Sequence, residues 1–116
     1  MTFSTVFDRW AVVVAPFPFV DAPKAKPRPC LVLSRAEANR ATGHSVCAMV
    51  TRPLVTCWPN DTELAGWERA GLVAPCRVRW KLFTLPNEVL RRKLGDLSPG
   101  DREACRHALT DLLGEE

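Results

Sequence analysis

Arg28 stands between Pro27 and Pro29, at the entrance to the apolar run Cys30–Ser34. Each proline fixes its own φ and pushes the residue before it toward extended geometry, so the guanidinium is carried on a stiff segment. An arginine held in this way grips phosphate or carboxylate through paired, charged hydrogen bonds. It suits the stabilisation of charge building on phosphoryl oxygens and, because arginine keeps its proton near neutrality, it is a poor general base.

A second candidate is the alternation Arg77-Val78-Arg79-Trp80-Lys81-Leu82. On a strand it sends Arg77, Arg79 and Lys81 to one face and Val78, Trp80 and Leu82 to the other. The cations then repeat at roughly 7 Å, a spacing that fits the phosphates of single-stranded nucleic acid and also an ordinary solvated sheet face. Thr51 ends the run Val46–Thr51 just before Arg52 and Pro53. It is either a plain strand residue or a hydroxyl available to a phosphate oxygen. His44 and His107 are the two histidines. They fall in a loop and off the apolar stripe of a helix, which reads as surface placement rather than acid–base catalysis. Trp58 and Trp67 lie in polar, loop-like segments, where they either stack bases, anchor an interface or fill a satellite core.

These groups need elements to position them. Ala11–Pro16 reads as a valine-rich strand, Asp21–Pro27 as a loop, Cys30–Ser34 and Val46–Thr51 as two more strands, and Pro75–Leu85 as a long fourth. Arg35–Gly43 reads as a short helix or loop, Asp61–Leu64 as a short strand, Trp67–Gly71 as a turn and Asn87–Arg92 as a helical turn. The last element is the clearest. Ser98 is an N-cap, Pro99 suits the first helical position and Asp101 the acidic first turn. Cys105, Ala108, Leu109, Leu112 and Leu113 share one helical face, and Gly114 stops the helix. Closely spaced strands followed by one helix predict a mainly β fold, a small barrel-like sheet covered by a C-terminal helix.

At 116 residues with 25% charged residues and a net charge of +3, the chain reads as a single globular domain. It is mildly basic, which permits a polyanionic partner without requiring one. Five cysteines without a CxxC pair read as reduced thiols, largely buried, in a cytoplasmic protein. No cysteine and histidine spacing fits a zinc site, and neither a signal peptide nor a membrane span is expected.

The ordered set of these pieces resembles the PemK/MazF family of toxin endoribonucleases. Its parts are the FPF turn at 17–19, the lysine-bearing loop, the Arg28-Pro29 pair, the LVLS strand, VCAMVTRP at 46–53, GLVAPCRVRWKLFTL at 71–85, and the closing LGDLSPGDREACRHALTDLLG. The resemblance implies an SH3-like barrel over residues 1–116 and a homodimeric toxin of a type II toxin–antitoxin pair. It implies metal-independent, sequence-specific cleavage of single-stranded RNA by attack of the 2′-hydroxyl, leaving a 2′,3′-cyclic phosphate and a 5′-hydroxyl. It also implies no cofactor, and an antitoxin partner with an acidic, disordered tail. The family's catalytic arginine and threonine fall on Arg28 and Thr51. The expected RNA contacts are Lys24, Lys26, Ser34, Arg52, Arg77, Arg79 and Lys81. The chain departs from the pattern in having Arg9-Trp10-Ala11 where members open with Gly-Asp, Pro27 where a second basic residue often precedes the arginine, Arg52 after the threonine, and Cys76 in the Pro-Ser position. The alternative is a catalytically degenerate module on the same fold that binds RNA or antitoxin without cutting.

Overall fold

A computed structural model of the chain describes residues 5–17, 26–53 and 56–114. Lys24 and the greater part of the 21–27 loop lie outside these residues. The described elements are β1 (Ala11–Phe17), β2 (Lys26–Val32), α1 (Ala36–Thr42), β3 (His44–Thr51), β4 (Thr62–Glu63), β5 (Arg77–Pro86), a 3-10 turn (Asn87–Val89), β6 (Arg92–Asp96) and α2 (Pro99–Leu113). The strands form one curled antiparallel sheet in the order β4-β5-β3-β2-β1-β6.

Both faces of the sheet are apolar, which is why β1 reads as a continuous valine run rather than an alternating one. Val12, Leu31, Ala48, Val50, Val78 and Trp80 face α2, whose Cys105 and Ala108 complete that core. Val13, Ala15, Cys30, Val32, Cys47 and Leu85 form a second core with Phe7 and Leu90. Val12 and Val13 are both fully buried, and each burial contributes about 1.5–3 kcal/mol. In α2 the Ser98 hydroxyl accepts from the Asp101 N–H at 3.2 Å, as the capping residues predict. The helix stripe, however, is buried only over its first half. Leu112 is 46% and Leu113 68% exposed, because α2 runs past the sheet that covers Cys105 and Ala108.

Two stretches differ from the sequence expectation. Lys26 and Pro27 belong to β2 rather than to a loop, with Pro27 opposite Pro16 and Pro29 opposite Val14. The Leu33 N–H donates to Val46 O on β3 at 2.8 Å. By the two-residue period of a strand, the nitrogens of Pro29 and Pro27 point the same way. Proline has no N–H to give there, and β3 pairs with β2 only over Cys30–Val32. The prolines therefore part the two strands beyond Cys30. Strand β6 was not expected at all: Arg92-Lys93-Leu94-Gly95-Asp96 is polar, carries a glycine and lies at the sheet edge, so it lacks the apolar signature of a strand. Gly95 is needed there, since a Cβ would stand 2.6 Å from the carbonyl carbon of Ala70 and from Arg69 O. At Gly71, with φ +80, a Cβ would come closer still to Leu94 O. Backbone thus packs on backbone where the 66–71 turn crosses β6.

Candidate functional site

The gap opened by the two prolines is a cleft of about 340 Å³. Arg28 and Pro29 form one wall, Val50, Thr51 and Arg52 another, and Thr56, Arg79 and the 72–76 segment close the rest. Arg28 shares the β2 face that carries Cys30 and Val32, and Thr51 shares the β3 face that carries Cys47. The β2–β3 register puts Cys30 opposite Met49. Two residues further along each strand, Arg28 and Thr51 face each other across the parted ladder. Met49 and Phe83 floor a smaller recess between them. Arg28 is exposed and Thr51 half-buried, so a phosphate can reach both. Lys26, exposed on the same face of β2, extends the positive charge outward.

The β5 row is arranged differently from a bare tract of cations. Val78 and Trp80 are buried and Leu82 packs on the same core, as alternation predicts. On the other face Arg77 lies 3.6 Å from Asp61 and 3.3 Å from Glu63, and its guanidinium also donates to Cys57 Sγ. Only 8% of Arg77 is exposed, so it serves the loop more than the surface. Arg79 donates to Asp61 at 3.0 Å and to Thr56 O while still lining the cleft. The acids absent from the β5 sequence are supplied from 14 to 18 residues away. Burial works to raise the Asp61 pKa, but the Arg79 hydrogen bond, the Trp58 N–H and the two guanidinium charges outweigh it and hold the carboxyl below its ordinary value. Lys81 is exposed beside a bulge in β5, where Leu82 pairs with Ala48 but Arg79 with Met49.

Ser34 sits apart from this cleft. Its hydroxyl donates to Asn39 Oδ1 at 2.5 Å and accepts from the Val46 N–H at 2.8 Å. The Asn39 side-chain amide in turn donates to Phe7 O and Ser34 O, each at 3.0 Å, and the Asn39 backbone carbonyl accepts from the Asn87 side-chain amide, whose Oδ1 accepts from the Ser45 hydroxyl at 2.6 Å. This neutral network fastens α1 to the sheet, and Ser34 belongs to it rather than to the cationic surface. His44 begins β3, at the end opposite Thr51, and His107 is exposed on α2 3.6 Å from Glu103; the two are not brought together. Cys76 lines the cleft, where burial pushes its thiol up against the opposing charge of Arg52, so it presents a thiol and not a thiolate. Trp67 packs against the main core. Sequence reading missed Asp61, whose only signal was an acid in a short strand with no visible partner. Among the described residues, no group of three or more His, Cys, Asp or Glu side chains comes together as a metal site.

A curled antiparallel sheet packed against a long C-terminal helix, with an arginine and a threonine across a cleft lined by further arginines, makes a small barrel with a cationic cleft. The family follows from comparison with known proteins: a family model of PemK-like, MazF-like toxins of type II toxin–antitoxin systems matches residues 8–113, and the chain belongs to that family. No curated protein matches the chain. Among solved structures, the MazE–MazF complex from Deinococcus radiodurans is 24% identical and matches 97% of this chain and all of that one, with a TM-score of 0.77. MazF alone from the same organism is 25% identical over 96% of this chain and 99% of that chain, with a TM-score of 0.75. A mycobacterial endoribonuclease in complex with its cognate antitoxin is 19% identical over 97% of each chain, also with a TM-score of 0.75. The mainly β architecture with its C-terminal helix is thus the MazF fold. Among the described residues no helix is long and apolar enough to cross a membrane.

Proposed function

We propose that this family member is a metal-independent endoribonuclease acting on single-stranded RNA, with Arg28 and Thr51 as its catalytic residues. The observation that carries the reading is that these two side chains, 23 positions apart in sequence, line one accessible cleft beside Arg52 and Arg79. In the proposed step the substrate's 2′-oxygen attacks the adjacent phosphorus and the bond from phosphorus to the 5′-oxygen breaks. The 2′-hydroxyl proton is lost, and the leaving 5′-oxygen gains one. The products are a 2′,3′-cyclic phosphate and a 5′-hydroxyl. Arg28 hydrogen-bonds the non-bridging oxygens as charge grows on them. Thr51 orients the phosphate or the 2′-hydroxyl so that attack is in line. Arg52, Arg79, Lys26 and Lys81 hold flanking phosphates, while Arg77 chiefly braces the loop that holds Arg79.

The relatives solved with antitoxins support a cognate antitoxin for this chain as well. An acidic, disordered tail fits the cationic cleft and competes there with RNA, and the protein works as a homodimer in the cytoplasm. The test is incubation of the purified protein with a long RNA in EDTA, mapping of the cuts and assay of the new ends. Discrete cuts bearing cyclic phosphates, lost in Arg28→Ala and Thr51→Ala, are expected. A folded wild type that binds RNA without cutting it would replace this reading with the non-enzymatic binding module.

A further inference from the structure

Three of the four tryptophans are placed by the core. Trp10 and Trp80 are 4% and 7% exposed, and Trp67 packs on the same cluster. Trp58 is 43% exposed, although an indole left in water forfeits one of the largest apolar burials available to a side chain. It is nonetheless held in place. The Arg79 guanidinium lies over its ring, 5.1 Å from the centroid. Its backbone N–H donates to Asp61 at 3.0 Å, and its carbonyl accepts from the Asp61 N–H at 3.2 Å. Asp61 also holds Arg79 at 3.0 Å. Carboxylate, guanidinium and indole therefore fix one another, and Arg79, together with Thr56 two residues before the indole, lines the cleft of Arg28 and Thr51.

We propose that Trp58 is a stacking platform for a nucleobase, next to the phosphate held in the cleft. This rests on the reading of the protein as an RNA-binding toxin and adds a base subsite to it. The ring offers a rigid π-face, polarised by the cation on it, within reach of a strand whose phosphate Arg79 and Arg28 hold. Stacking accepts every base and gains with its area, so the subsite supplies affinity and a mild purine preference, leaving sequence discrimination to other groups.

The experiment measures binding rather than cleavage. Fluorescent single-stranded DNA, uncleavable because it lacks the 2′-hydroxyl, is titrated by anisotropy beside a strand of equal length and charge made of abasic sugar phosphates. Wild type, Trp58→Ala and Trp58→Phe are compared after circular dichroism shows each folded. Trp58→Ala is expected to weaken binding of the base-bearing strand about tenfold, Trp58→Phe to recover much of that loss, and the abasic strand to bind all three alike. An equal loss on both strands would show that Trp58 acts by positioning Arg79 and would overturn the platform, as would unchanged binding throughout. A wild type that binds DNA in this way but does not cut RNA would defeat the nuclease reading and leave the platform standing. A wild type that binds neither strand would overturn the platform, while the nuclease reading would still stand or fall on the RNA cuts.

Discussion

The two ends of β3 each hold a polar cluster, and the two clusters are built on opposite plans. At the His44 end, Ser34, Asn39, Ser45 and Asn87 are neutral, largely buried and bonded to one another or to backbone. At the Thr51 end, Arg28, Arg52 and Arg79 stand around an open cleft, with the charge of Arg79 balanced from one side by Asp61. A neutral network whose every member is satisfied can be sealed inside a protein and gives rigidity. Charge of one sign is costly to seal and remains at the surface, where it attracts an anion. With the proposed function, the first cluster carries stability and the second carries the chemistry, although one strand supports both.

Substitutions that separate the two roles test that division. The largest effect is expected from Arg28→Ala, which should lower the RNA cleavage rate about 10²–10³-fold while leaving the melting temperature near that of wild type, because the side chain is exposed. Next is Asp61→Asn. It removes the carboxylate shared by two guanidiniums, of which Arg77 keeps Glu63, and should cost about 1.5–3 kcal/mol in urea unfolding. It should also change the acid limb of stability. With a folded pKa below the ordinary 3.8, Asp61 contributes stability that is fully present above that value and lost as pH falls through the folded pKa. The variant should show a shallower loss below about pH 4. Asn39→Ala should cost about 2 kcal/mol by stranding its buried partners, with cleavage per folded molecule unchanged. The smallest effect is Ser34→Ala, about 1 kcal/mol in stability and none in RNA affinity. A fall in affinity there would place Ser34 with the cationic cluster after all.

The asymmetry between the two ends was only partly legible in the sequence. Local signals worked where they are strong: the valine run of β1, the Val46–Thr51 strand, the Val78-Trp80-Leu82 face of β5, and the Ser98-Pro99 start of α2. The ordered motifs pointed to the family and to Arg28 and Thr51. Strand β6 escaped because an edge strand such as Arg92–Asp96 needs no apolar alternation once its glycine lets a turn pack against it. The bracing of Arg77 and Arg79 escaped because Asp61 and Glu63 reach them only after the chain doubles back through β4. The partners of Ser34 escaped because a hydroxyl ending a strand carries no mark of the asparagine it meets. The prolines around Arg28 held more than their stiffness suggested: their missing N–H groups part β2 from β3 and make the cleft.

The central claim, that chemistry and stability are housed at opposite ends of β3, is tested most directly by one paired measurement. Cleavage of a defined RNA in EDTA and urea unfolding are recorded on the same preparations of wild type, Arg28→Ala and Asn39→Ala. The account predicts that Arg28→Ala loses cleavage and keeps its unfolding midpoint, while Asn39→Ala loses midpoint and keeps the cleavage rate of its folded fraction. Cleavage that survives in folded Arg28→Ala, or disappears in folded Asn39→Ala, would contradict it.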